Sequence, residues 1–299
     1  MEYIPAKSIV LKNKNPQYWF GHDYNMNIYK GCSHGCIYCD SRSDCYKIED
    51  FDRVRAKENA IEIIKNELSK KREKGVVGTG AMSDPYNPCE KTELLTRKAL
   101  EWIDYYGFGV GITTKSDLIT RDIDILKRIN KHSPVCIGMT ITTFDDKLSR
   151  IVEANVVPSS KRFEALKRFR DEGVYAGILL MPMLPFINDN EENMVSIIKE
   201  AQKVGAKFIY PSFGVTLRMN QRDYYFKKLD ENFNGMKERY LKEFGGGYEC
   251  ISSKQSELLK GFKKTCNELG IKYKMVDIIE GYKYSQKNKQ INFFDKLGQ

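Results

Sequence analysis

Gly31-Cys32-Ser33-His34-Gly35-Cys36-Ile37-Tyr38-Cys39 sets three cysteines at the spacing C-x3-C-x2-C. Iron–sulfur clusters are ordinarily held by four cysteine thiolates, and this run supplies three. A [4Fe-4S] cluster bound here keeps one iron open to a ligand that is not protein. Three residues of extended chain reach roughly 10 Å at most, so Cys36 and Cys39 must grip one small object together. Zinc is the rival reading, with Cys45 or His34 as a fourth ligand. Structural zinc sites usually show two separated ligand pairs, and no second pair follows. A structural disulfide suits secreted chains, and the opening Met-Glu-Tyr-Ile-Pro-Ala-Lys lacks the apolar run of a signal peptide.

The chain has 299 residues, enough for one large core, and is 41% hydrophobic and 30% charged, as globular proteins are. Its longest apolar stretch, residues 177–187, is too short for a bilayer and contains Pro182 and Pro185. No membrane association is expected, and the protein is expected in the cytoplasm with reduced thiols. A formal charge of +9 favours an anionic partner, nucleic acid among them. The basic runs at 70–74 and 161–170 read as solvated helix faces.

Outward from the cysteine run, short β-branched segments alternate with amphipathic ones. Strands are expected at Tyr24–Tyr29, Val76–Thr79, Gly109–Thr114, Val135–Thr142, Val174–Met181 and Lys207–Pro211. Near-continuous apolar runs such as Gly177-Ile178-Leu179-Leu180-Met181 suit parallel strands buried on both faces. Helical stripes occur at Ile61, Ile64 and Leu68, at Leu94, Ala99 and Trp102, and at Phe163, Leu166 and Phe169. Six strand–helix units predict α/β architecture and are too few for a closed eight-stranded barrel. The cysteine run follows the first strand. Beyond Leu217 tyrosine and lysine become frequent. A helix is expected from Ser253 to Leu269, ended by Gly270, and then an added strand at Ile271–Ile279. The expected division is an α/β unit over 1–217 and a C-terminal extension over 218–299 packed on it.

The cysteine loop, with aromatic Tyr38 before its third cysteine, resembles the signature of radical S-adenosylmethionine (SAM) enzymes. Further segments resemble the spore photoproduct lyase-like branch, its lyase-like relatives more than the lyase. They are Gly78-Thr79-Gly80-Ala81-Met82-Ser83-Asp84-Pro85-Tyr86, Thr113-Thr114-Lys115, Thr140-Ile141-Thr142-Thr143 and Leu180-Met181-Pro182. The resemblance implies a partial (β/α)6 TIM-like barrel and a [4Fe-4S] cluster on Cys32, Cys36 and Cys39. It implies SAM on the open iron, cleaved reductively to a 5′-deoxyadenosyl radical that takes hydrogen from a substrate. It also implies a low-potential electron donor of flavodoxin or ferredoxin type. In such chemistry the protein supplies placement and exclusion of side reactions.

By the same resemblance, Ser83 lies near the methionine end of SAM and Lys115 pairs with the SAM carboxylate. Thr140 and Thr142 face the ribose, Met181 offers backbone to the adenine, and Tyr38 approaches from the cluster loop. Plainer readings stand beside these. Ser83-Asp84-Pro85 also reads as a turn, Lys115 as a solvated lysine before a helix cap, and both threonines as ordinary strand residues.

Two positions depart from the lyase. Its hydrogen-donating cysteine, two positions before the Ser-Asp pair, is Ala81 here. The tyrosine that follows its third cluster cysteine is Asp40. Neither side chain relays a hydrogen atom, so dimer repair by the lyase's own route is not expected. Cys89, in the loop after the second strand, is a candidate thiol donor, and Cys45 is another. Arg218, Arg222, Tyr224 and Tyr225 read either as a base-stacking, phosphate-binding surface or as a helix start with inward tyrosines. The expected substrate is a C–H bond in nucleic acid or a nucleotide. The alternatives are a small metabolite or peptide, or a non-catalytic metal-containing nucleic-acid-binding protein. Protein purified without oxygen is expected to be brown, with visible absorbance that dithionite bleaches. Cys36→Ser is expected to lose that absorbance; a colourless zinc protein would refute the cluster.

Overall fold

The computed structural model describes residues 1–283. Six strands run parallel in one sheet: β1 (Tyr24–Met26), β2 (Val76–Thr79), β3 (Gly109–Thr114), β4 (Val135–Thr140), β5 (Ala176–Leu180) and β6 (Ile209–Pro211). They lie side by side in chain order, and Val10–Lys12 adds an antiparallel strand beside β1. Among the described residues the two edges, β6 and Val10–Lys12, do not pair with each other, so the sheet is open rather than a closed barrel. This is the α/β architecture that the alternation predicts and the partial barrel that the resemblance implies.

The pleat sends alternate residues to opposite faces, and the two faces have different fates. Val77, Val110, Ile112, Ile137, Met139, Ile178 and Leu180 enter the main core beneath the helices. Val76, Cys136, Leu179 and Phe208 pack together on the other, inner face. The covering helices include α1 (Ala60–Lys70), α2 (Leu95–Tyr105), α3 (Ile123–His132), α4 (Ser159–Asp171) and α5 (Glu191–Val204). In α5, Met194, Ile197, Ile198 and Ala201 make one buried stripe at helical spacing. The Asn190 side chain caps that helix by accepting from the Asn193 amide at 2.9 Å. Gly205, at φ 81°, ends it in the left-handed region.

Glycines make room on the inner face. Gly78 pairs with Gly111, and Gly138 with Gly177, across adjacent strands. An added Cβ at Gly78 or Gly111 would collide with the His22 ring, and one at Gly177 with the Phe208 ring. Phe20 and His22, which precede β1, stack against each other 6.1 Å apart. With Phe208, Ile278 and Tyr282 they fill this face toward its amino end. By the same alternation Thr113, Lys115, Thr140, Thr142 and Met181 follow on this face at the carboxyl ends.

The C-terminal expectation needs correction. Gln255–Glu268 is the helix expected there, followed by Gly270 at φ 67°. Ile271–Ile279 is not a strand: Lys272 makes a single bridge to Phe208, and residues 275–283 are helical. Met275, Ile278, Ile279 and Tyr282 all pack on the inner face, a helical spacing that a period of two does not describe. Smaller differences occur at the ends of β1 and β4, which stop at Met26 and Thr140.

Burial, reinforced by Lys283 and opposed by Asp23, lowers the His22 pKa to about 4. An unfolded histidine titrates near pH ~6.5. Between those values the unfolded chain binds the extra proton, so stability falls as pH drops from about 6.5 to about 4. This one group accounts for up to roughly 3 kcal/mol of that loss. Denaturant melts at neutral and acid pH should show a smaller acid loss in His22→Gln. An equal loss in both proteins would refute the assignment.

Candidate metal and cofactor site

The cysteine run leaves β1 through Gly31, whose φ is 82° and whose Cβ would lie 2.6 Å and 2.7 Å from the Arg53 and Phe51 carbonyls. Only glycine fits that approach. The Cys32 amide donates to the Phe51 carbonyl at 2.8 Å. On the other side the loop is held by the end of the short helix Asp146–Val152 and the chain that follows it. Ile37 donates to Val152 at 3.0 Å, and Asn155 to the His34 carbonyl at 3.0 Å. Cys36 and Glu153 form an antiparallel bridge between these contacts.

All three thiols are free; Cys32 and Cys36 are buried and Cys39 is half-buried. Burial pushes the Cys32 thiol up to about 12 and raises Cys36 and Cys39 as well. The Lys115 ammonium opposes this at Cys36 and Cys39. Burial alone would lower the Lys115 pKa, but Cys36, Glu153, Cys39 and Asp84 more than reverse it. A cation therefore faces the thiol loop. Among the described residues no three His, Cys, Asp or Glu side chains converge on a single-ion site. A [4Fe-4S] cube takes each thiolate on a separate iron and needs no such convergence.

Asp84 ties this loop to the strand ends. One carboxylate oxygen accepts from the Thr114 hydroxyl at 2.6 Å and the Tyr86 amide at 2.9 Å. The other accepts from the Lys115 amide at 2.8 Å and lies 3.4 Å from His34 Nδ1. Ser83 donates its hydroxyl to the Gly31 carbonyl at 2.5 Å. The Ser-Asp pair thus does form the turn read from its sequence, and that turn fastens β2, β3 and the cysteine loop together.

A second network is absent from any motif. Glu153 and Arg162 are fully buried and paired at 2.5 Å. Tyr38 donates its hydroxyl to Glu153, and its ring lies 5.6 Å from the Lys115 ammonium. Arg162 also donates to the Thr140 carbonyl at 2.8 Å and the Val157 carbonyl at 2.9 Å. The basic run 161–170 is a solvated face at Lys161, Lys167 and Arg168, whereas Arg162 turns inward.

At the carboxyl ends Thr140 and Thr142 are buried, and Met181 is half-buried at the end of β5. Among the described residues the Thr142 hydroxyl and the Asn27 side-chain oxygen are buried without a hydrogen-bond partner, which leaves two polar atoms to meet a ligand. The Thr142 carbonyl is held by Asn188 and Asn193 at 2.8 Å and 3.0 Å. Asn27, just beyond β1, carries no motif, and only its register after the first strand could have drawn attention to it. Cys89 sits half-buried beside Asn87, its amide donating to that side chain at 3.0 Å.

Asp40 accepts from Tyr46 at 2.7 Å and Thr216 at 3.2 Å, and meets Arg218 at 3.4 Å. Arg218 also donates to the exposed Cys45 sulfur at 3.0 Å. The Arg/Tyr set divides. Tyr225 is buried against Tyr240, and Arg222 holds the Leu217 and Gly247 carbonyls. Tyr224 stacks on Arg42 at 3.7 Å. Arg218 stays near the surface between the Tyr46 and Tyr248 rings.

A model of the radical SAM superfamily matches residues 26–198, from the last residue of β1 into α5. The chain belongs to the radical SAM superfamily. An uncharacterized protein of Methanocaldococcus jannaschii is 32% identical over 280 residues, covering 92% of this chain and 93% of its own. One from Mycobacterium bovis is 26% identical over 233 residues, covering 75% and 68%. Spore photoproduct lyase, complexed with dinucleoside spore photoproduct, shares the fold at a TM-score of 0.62 and 12% identity, covering 89% of this chain and 78% of the lyase. The radical SAM methyltransferase TsrM from Kitasatospora setae shares it at 0.56 and 10%, covering 81% and 51%. Radical SAM enzymes bind a [4Fe-4S] cluster and SAM, and this one is an enzyme of that kind. Three free thiols on one loop, Lys115 beside the Tyr38 ring of that loop and polar atoms unpartnered among the described residues are donor types that suit both groups. No helix of the described residues is long and apolar enough to cross a membrane.

Removing one partner of a buried ion pair strands the other charge, which costs about 3–5 kcal/mol. Glu153→Gln is expected to destabilise the protein by about that much in urea titration. Glu153→Gln with Arg162→Met should recover part of the loss. Wild-type stability in Glu153→Gln alone would refute the pairing.

Proposed function

We propose that Cys32, Cys36 and Cys39 hold the cluster and that the radical attacks a C–H bond in nucleic acid or a nucleotide. The observation that carries the cofactor assignment is the Lys115 ammonium 5.6 Å from the Tyr38 ring on the loop of three free thiols. When bound, reduced cluster and SAM supply a 5′-deoxyadenosyl radical able to abstract unactivated hydrogen. Lys115 binds the methionine carboxylate, a task for a flexible point charge. Ser83, by fixing Gly31, shapes the methionine end. The Thr142 hydroxyl, buried without a partner, turns to the ribose beside Thr140. Met181 presents backbone to the adenine at the end of β5, and Tyr38 closes the loop side.

Three features support a nucleic-acid substrate. The net charge is +9, and Arg218 lies between two tyrosines beside the cluster loop. The fold is also that of a lyase seen with a dinucleoside lesion. Ala81 and Asp40 stand where that lyase keeps its hydrogen-relaying cysteine and tyrosine, so the substrate radical has a different fate here. Cys89 remains the candidate thiol, and unchanged turnover in Cys89→Ser would remove it. The second reading, a small-metabolite substrate, is favoured by the likeness to TsrM, whose structure carries tryptophan. A cytoplasmic flavodoxin or ferredoxin supplies the electron.

The deciding assay measures 5′-deoxyadenosine from reconstituted, dithionite-reduced protein with DNA, RNA, nucleotides or amino acids. Stimulation by a nucleic acid or nucleotide is the expected result. Stimulation by an amino acid or peptide alone would transfer the reading to a small substrate. No product from a protein with a full cluster would refute the catalytic assignment.

A further inference from the structure

The cysteine loop lines a second space, away from Lys115 and Tyr38. A cleft of about 390 Å³ opens between His34, the turn at Tyr86 and Pro88, and the start of the helix layer. His34 lies two residues from Cys32 and two from Cys36. Its backbone is therefore within roughly 7 Å of each proposed ligand's. The side chain is buried, held near Asp84, and still reaches the cleft. Neither the Lys115 nor the Tyr38 side chain lines that space; Ser116, the residue after Lys115, does.

Its charged wall is predominantly basic. Lys91, Arg121 and Arg168 contribute positive charge, and Asp117 is the acidic group among the lining residues. Arg121 is fixed by the buried carboxylates of Glu90 and Asp122, at 3.1 Å and 2.8 Å, which offset its charge. Arg168 is steadied by the Thr120 hydroxyl at 2.8 Å. Lys91 and Arg168 are exposed and leave the rim positive. A chain of net charge +9 reinforces that field over longer range.

We propose that this cleft is the docking face for an acidic one-electron carrier. The proposal rests on the assignment of the cluster to Cys32, Cys36 and Cys39. One electron leaves the carrier's reduced cofactor and enters the cluster, and no proton or group moves with it. Basic rim charges act mainly on the association rate and its salt dependence.

The test uses the reconstituted holoenzyme and a reduced, negatively charged flavodoxin, following the bleaching of cluster absorbance by stopped flow. Lys91→Glu with Arg168→Glu is expected to slow flavodoxin-driven bleaching about tenfold or more at low salt. The milder Lys91→Gln with Arg168→Gln should give an intermediate rate. Lys263→Glu with Lys264→Glu changes the net charge equally on the helix Gln255–Glu268, which packs on α5 away from the cysteine loop, and should leave the rate near wild type. Dithionite should bleach all of them alike. Unchanged flavodoxin rates in the cleft variants, or equal slowing in the distant one, would overturn the docking face. Failure of dithionite to bleach the wild type would instead remove the cluster assignment, and the proposal with it.

Discussion

The Glu153–Arg162 pair is the contact through which the parts of the site are joined. Both groups have left water entirely, and such burial is repaid only when the remaining hydrogen bonds are made. Several are made to the site itself, while Glu153 Oε2 has its ion pair with Arg162 and no hydrogen bond among the described residues. Glu153 takes the Tyr38 hydroxyl and bridges Cys36 through its backbone, while Arg162 takes the Thr140 carbonyl. The cysteine loop and the end of β4 are therefore positioned by one ion pair. Asp84 does the same work between that loop and the ends of β2 and β3.

The glycines of the inner face explain why chemistry gathers at one end of the sheet. Where β2, β3 and β5 lack side chains, His22 and Phe208 lie directly against backbone, and the amino half of the inner face is solid core. The carboxyl half carries hydroxyls, a lysine and a methionine instead. Active sites of α/β barrels lie at this end, and here the packing below gives it a floor. The helix at residues 275–283 completes that floor.

Ala81 and Asp40 lie in different surroundings. Ala81 is exposed, and Asp40 is engaged with Tyr46, Thr216 and Arg218. The carboxylate has become part of a polar tie between the cluster loop and the strand Gly214–Thr216.

The C-x3-C-x2-C run, the strand–helix alternation and the apolar strands were legible in one dimension because each depends on local spacing. Thiol number and reach, pleat period and helical stripe all act over a few residues. Lys115, Thr140 and Thr142 stood in motifs, and strand register places them on one face. Other features had no local sign. Arg162 sits in a basic run that reads as solvent-facing, and Glu153 follows a short helix without a motif. The strand expected at Ile271–Ile279 gave way to a helix because its apolar residues meet an inner face built from distant strands. The sequence by itself determined the donors and the alternation that carries them. Tertiary structure decided which charges are buried, since burial is a property of what packs around a residue and not of its neighbours in the chain.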